Sequence, residues 1–145
     1  MIEFKKTPAI LIASHGNFCE ELIRSAQMLY GEMEDVVALP LLVGMDPEEY
    51  EKQFNEIIDR YDGDIIVFVD MFGGTPFNTL IKAGCRRQLC AITGVNMTML
   101  FQALDERDTE RNGEKLAESI MTAAAAAIKD VTPSLARFYE QAQNR

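Results

Sequence analysis

The sequence predicts one doubly wound α/β domain in three layers, helices on both faces of a mostly parallel sheet. Three observations carry this. Unbroken apolar runs such as Ala9-Ile10-Leu11-Ile12-Ala13 and Ile65-Ile66-Val67-Phe68-Val69 read as strands buried on both faces. Stretches with apolar residues at helical spacing follow each run. Strand and helix alternate along the chain, which implies parallel strands joined by crossovers.

Taken in order, the first run ends at Ser14-His15-Gly16-Asn17. A helix then spans Phe18 to Tyr30, with apolar residues at 18, 22, 26 and 29. Asn17 is its N-cap, acids fill its first turn, and Gly31 ends it. Val36-Val37-Ala38-Leu39 is a short strand that Pro40 closes. Asp46-Pro47-Glu48-Glu49 starts a helix running to about Tyr61, with Tyr50, Phe54, Ile57 and Ile58 facing inward. The third strand ends at Asp70. Met71 to Asn78 is a loop with two glycines and a helix-starting Thr75-Pro76 pair, and Thr79 to Gly84 continues as a short helix. Leu89 to Ile92 is the fourth strand, and Met97 to Leu104 an apolar helix. Asp105 to Asn112 is a charged, solvated loop. Gly113 to Lys129 is an alanine-rich helix with Leu116, Ile120 and Met121 inward, broken at Thr132-Pro133. Its alanine tract, Ala123 to Ala127, suits close helix packing. The pattern does not decide whether the tail from Ser134 is helix or extended arm.

Composition narrows the function. The chain has 145 residues, 48% apolar and 26% charged, which suits one soluble domain with its own core. A net charge of −9 argues against nucleic acid and anionic lipid as partners. No apolar run reaches a membrane span and no signal-peptide core opens the sequence, so direct membrane insertion is not expected and a cytoplasmic location is. Cys19, Cys85 and Cys90 lack metal-ligand spacing and read as reduced thiols. Neither metal nor cofactor is implied.

The chemistry concentrates at two strand ends. His15, the only histidine, follows the first strand, and Asp70 follows the third. In a flavodoxin-like strand order, 2-1-3-4, those strands are neighbours at the switch point where such sheets bind ligands. Asp70 on one imidazole nitrogen would fix the tautomer and leave the other as a nucleophile. Alone, His15 reads first as a turn residue bonded to backbone, and Asp70 reads equally as a helix cap or loop acceptor. Together they are joined by Gly16 and by Gly73-Gly74-Thr75, where backbone N–H groups at helix starts suit a phosphoryl group. Ser14 adjoins His15 and should point away from it, and no G-x-S-x-G elbow occurs, so a serine hydrolase is not indicated.

These segments resemble the IIA component of the mannose-type phosphoenolpyruvate:sugar phosphotransferase system. The resemblance rests on Ile10 to Gly16, on Glu21 to Gly31, on Val69-Asp70-Met71-Phe72-Gly73-Gly74-Thr75-Pro76-Phe77-Asn78, and on Thr93 to Leu100. It covers residues 8 to about 130 in the right order and spacing. It implies a phosphotransferase component that takes a phosphoryl group from the phosphocarrier protein HPr on His15, at the ε nitrogen. The group then passes to a IIB partner for coupled sugar uptake. Asp70 matches the acid that orients the histidine, and Thr75 matches a Ser or Thr that contacts the phosphoryl group. Gly16 and Gly74 are the further candidates for phosphate-facing amides.

The resemblance also implies a homodimer built partly by exchange of a C-terminal strand. The domain is therefore expected over residues 1–130, with 131–145 a tail contacting a second copy, and the sheet has room for an added antiparallel edge strand. Some members are fused to IIB through an Ala/Pro-rich linker; this chain reads as a free-standing IIA. The acid excess would steer a basic partner face, and solubility accounts for it equally well. Met71, Phe72, Phe77 and Met99 are either a docking rim or core. Two other readings share the fold. A receiver-like signalling domain needs an acidic pair after the first strand and a late lysine, where this chain has Ser14-His15-Gly16. A flavodoxin-like ligand-binding module needs a hydroxyl-rich phosphate loop there, which is lacking.

Overall fold

The computed structural model describes residues 5–145. Strands β1 (Ala9–His15), β2 (Val36–Leu41), β3 (Ile65–Val69) and β4 (Cys90–Thr93) form one parallel sheet in the order β2-β1-β3-β4. Between and after them lie α1 (Phe18–Tyr30), α2 (Pro47–Ile58), α3 (Gly74–Arg86), α4 (Met97–Glu106), α5 (Gly113–Ala127) and α6 (Thr132–Gln143). Alternate side chains of each strand enter opposite cores. Ile10, Ile12, Ile66 and Phe68 pack with Leu22, Leu100, Leu116 and Ile120 of α1, α4 and α5. Leu11, Ala13, Val67 and Val69 pack with Tyr50, Phe54 and Leu80 of α2 and α3. Both cores need the strands apolar throughout, which is why the runs in β1 and β3 are unbroken.

Several element bounds differ from the sequence reading. Pro40 does not close β2, which continues to Leu41. Leu41 turns its carbonyl to β1, so the missing N–H of Pro40 faces the free edge, where no ladder bond is lost. Helix α3 starts at Gly74, just ahead of the expected start at Thr75-Pro76, with Pro76 in the first turn, where its N–H would be unused anyway. It runs on to Arg86. In α1 the buried stripe is Cys19, Leu22 and Ala26, while Phe18 and Leu29 are exposed. Helix α2 ends at Ile58, short of Tyr61, and β4 is shifted one residue onward from Leu89–Ile92.

The charged stretch after α4 is not all solvated. Arg107 is buried, and its guanidinium donates to the carbonyls of Glu34 (2.6 Å), Pro8 (3.3 Å) and Asp35 (3.4 Å). Helix α5 ends at Ala127, before the Thr132-Pro133 pair, which instead opens α6. Leu116 and Ile120 face inward as expected, but Met121 is exposed, and only Ala124 of the alanine tract is buried. Among the described residues no antiparallel strand joins the sheet. The tail is helical, with no buried residue.

The chain leaves β1 for β2 on one side and returns to β3 on the other. The carboxyl ends of β1 and β3 therefore border the crevice. Their register pairs Ala13 with Val69, which brings Asp70 beside the Ser14–His15 end of β1.

Candidate functional site

At that point a single carboxylate oxygen organises the histidine. Asp70 Oδ2 accepts from the backbone N–H of His15 at 2.9 Å and lies 2.8 Å from its Nδ1. Its other oxygen accepts from Met71 N at 3.0 Å. An ionised carboxylate only accepts hydrogen bonds, so the Nδ1 contact needs the proton on Nδ1. In the neutral ring Nε2 then carries the lone pair. The Asp70 side chain is 17% exposed and that of His15 is 46% exposed, so the acid is shielded while the ring faces outward.

Nε2 lies against the start of α3. A β-carbon added to Gly74 would sit 2.9 Å from His15 Cε1 and 3.0 Å from Nε2, so only glycine fits there. Gly73 (φ +99°) and Gly74 (φ +85°) both take left-handed backbone that glycine alone adopts freely. Helices α2, α4 and α5 begin with Asp46, Asn96 and Asn112, whose side chains accept amides of the first turn. Among the described residues α3 has no such cap and no acid in its first turn. The amides of Gly74 and Thr75 thus lack an intrahelical partner, at the positive end of the helix dipole and beside Nε2. Thr75 is half-buried at the second position of the helix.

The expected role of Gly16 is corrected by its geometry. Its amide donates to Leu41 O at 2.7 Å and is not free to face a phosphate. What Gly16 supplies is a turn at φ +56°. Asn17 likewise occupies the cap position of α1 without making the side-chain bond. That bond comes from Ser14, whose buried Oγ accepts from Cys19 N at 2.9 Å. Sequence reasoning dismissed Ser14 as a nucleophile and missed this. Burial pushes the Cys19 thiol up despite that neighbouring hydroxyl.

The apolar residues of the rim divide. Met99 is core, Phe77 is half-buried against Phe72 (centroids 4.6 Å apart), and Met71 and Phe72 are exposed. Phe18, Leu42 and Val43 are exposed at the same end of the sheet, which sequence pattern did not single out.

A parallel α/β domain presenting a carboxylate-oriented histidine at an uncapped helix start defines a class of group carriers or histidine-centred transferases. Comparison with known proteins narrows the class. A family model described as PTS system fructose IIA component (EIIA-man) matches residues 9–130. The mannose-specific EIIAB component of the phosphotransferase system (PTS) of Escherichia coli K12 is 32% identical over 113 residues, 76% of this chain and 35% of that protein. The fructose-specific EIIA component of Bacillus subtilis is 30% identical over 107 residues, covering 69% and 70% of the two chains. The crystal structure of an EIIA component from Streptococcus agalactiae superposes with a TM-score of 0.81 at 25% identity, covering 86% of this chain and 98% of that one. A IIA protein associated with the fucose utilization operon of Streptococcus pneumoniae gives 0.77 at 28% identity, covering 90% and 98%.

The chain belongs to the EIIA-man family of phosphotransferase-system IIA components. It spans about a third of the length of the E. coli protein it matches.

Proposed function

We propose that His15 Nε2 accepts a phosphoryl group from phospho-HPr and passes it to a IIB partner, coupling the protein to sugar uptake. The observation that carries this is the pairing of Nδ1 with Asp70 while Nε2 abuts the uncapped start of α3. The Nε2 lone pair attacks phosphorus as the donor's N–P bond breaks, and the donor imidazole leaves with that electron pair. His15 becomes imidazolium-like, with Asp70 facing the positive charge at 2.8 Å. The amides of Gly74 and Thr75, with the Thr75 hydroxyl, receive the phosphoryl oxygens. Transfer to IIB reverses these steps with a new acceptor.

The exposed Phe18, Leu42, Val43, Met71 and Phe72 around His15 form the docking rim for both partners. The protein works in the cytoplasm as a homodimer. Residues 131–145 contact the second copy, because α6 leaves Leu135, Phe138 and Tyr139 exposed. None of the helices among the described residues is long and apolar enough to cross a membrane.

Incubation with phosphoenolpyruvate, enzyme I and HPr is expected to add one acid-labile phosphoryl group. His15→Ala should take up none. Labelling of that variant at the parent level would overturn the assignment.

A further inference from the structure

The turn that presents His15 is held from three directions. His15 N–H is fixed to Asp70, beyond β3. Gly16 N–H is fixed to Leu41 of β2. The third anchor is Ser14, which is 0% exposed. Its hydroxyl donates to Gly16 O at 3.2 Å and accepts from Cys19 N at 2.9 Å, thereby tying both sides of His15 to the first turn of α1. Only Gly16 and Asn17 separate strand from helix here, and the Asn17 side chain contributes no cap. A backbone this abruptly turned has no internal partner for the Cys19 amide except that hydroxyl.

We infer that Ser14 is a positioning residue for phosphoryl transfer. It sets the pose in which the backbone N–H and Nδ1 of His15 meet the same Asp70 oxygen, and so selects the Nδ1–H tautomer of the neutral ring and aims Nε2 at α3. The inference rests on the proposed role of His15. Without the hydroxyl, Cys19 N loses its partner, and Gly16 O keeps only the Cys19 thiol at 4.0 Å. The turn then relaxes, and the imidazole samples orientations in which Nδ1 leaves Asp70.

His15 is the only histidine, so its ring nitrogens give one set of signals in 15N-labelled protein. In the parent those signals should report the Nδ1–H tautomer. Ser14→Ala should remain folded by circular dichroism and show a mixture of tautomers. Its phosphorylation by phospho-HPr should slow about tenfold at unchanged KM, the scale set by small misalignments of reacting groups. Ser14→Thr, which keeps the hydroxyl, should restore both readouts to within about twofold. A folded Ser14→Ala with the parent's tautomer and rate overturns the inference, as does a loss of rate that Ser14→Thr shares. If Ser14→Thr fails to fold, the tautomer signals of Ser14→Ala decide alone. If the parent takes no phosphoryl group on His15, the functional reading fails, while the tautomer comparison still tests whether Ser14 positions the ring.

Discussion

The two ends of the sheet treat the backbone in opposite ways. At the amino end cationic side chains close off carbonyls. Arg107 takes those of Pro8, Glu34 and Asp35, Arg87 takes those of Ile58 and Gly63, and Arg111 takes that of Lys5. Asp64 adds a bridge to Lys5 (2.9 Å) and accepts from Gly113 N (2.7 Å). At the carboxyl end, α3 leaves amides without a cap and apolar side chains stand in solvent. One end is sealed for stability. The other leaves the first amides of α3 uncapped, which is where the proposed phosphoryl group would sit.

That contrast can be broken from either side, and the largest effect is expected at the open end. Gly74→Ala puts a methyl group within 3.0 Å of Nε2 and strains a backbone at φ +85°. Phosphorylation of His15 should slow by about a hundredfold or more, since the ring must leave its pose. Labelling at the parent's rate would mean that Nε2 does not work against α3. At the sealed end, Arg107→Met should lower unfolding free energy by about 2–3 kcal/mol through orphaned carbonyls. Denaturant melts measure this, while transfer at 25 °C should stay at the parent's rate. A slowed transfer in a folded Arg107→Met would mean that the two ends are coupled.

The smallest expected effect is the pH dependence at Asp64. Burial pushes its carboxyl up, but the Lys5 ammonium and the Gly113 amide outweigh it and leave the group below its ordinary range. A carboxyl depressed on folding stabilises above its unfolded value, about 3.9, and that contribution is lost as pH falls through the lower folded value. Below about pH 4 the melting temperature of Asp64→Asn should therefore fall less with acid than the parent's. Parallel acid profiles would remove Asp64 from that role.

The sheet was legible because its strands are buried on both faces, which writes itself into sequence as the unbroken runs of β1 and β3. His15 and Asp70 were legible for a related reason. Strand ends are easy to locate, and the strand order then brings the two residues together. Thr75-Pro76 was legible as a helix start, while Gly73-Gly74 read as loop, since glycine weakens a helix interior although it suits the first turn. The engagement of Gly16 depends on the β1–β2 register, and the burial of Arg107 depends on carbonyls gathered from two distant segments. Neither is a local property of the chain. The capping of α1 by Ser14 was local, but a hydroxyl bond across five residues has no periodic signature.

The loops that follow the four strands, residues 16–17, 42–46, 70–73 and 94–96, contain neither lysine nor arginine. A phosphoryl dianion on Nε2 would thus rest among neutral amides at a helix start, without a full positive charge from those loops. Fixed cations would hold it in a deep well and slow its departure; partial charges make the well shallow. Free inorganic phosphate should compete poorly for such a seat.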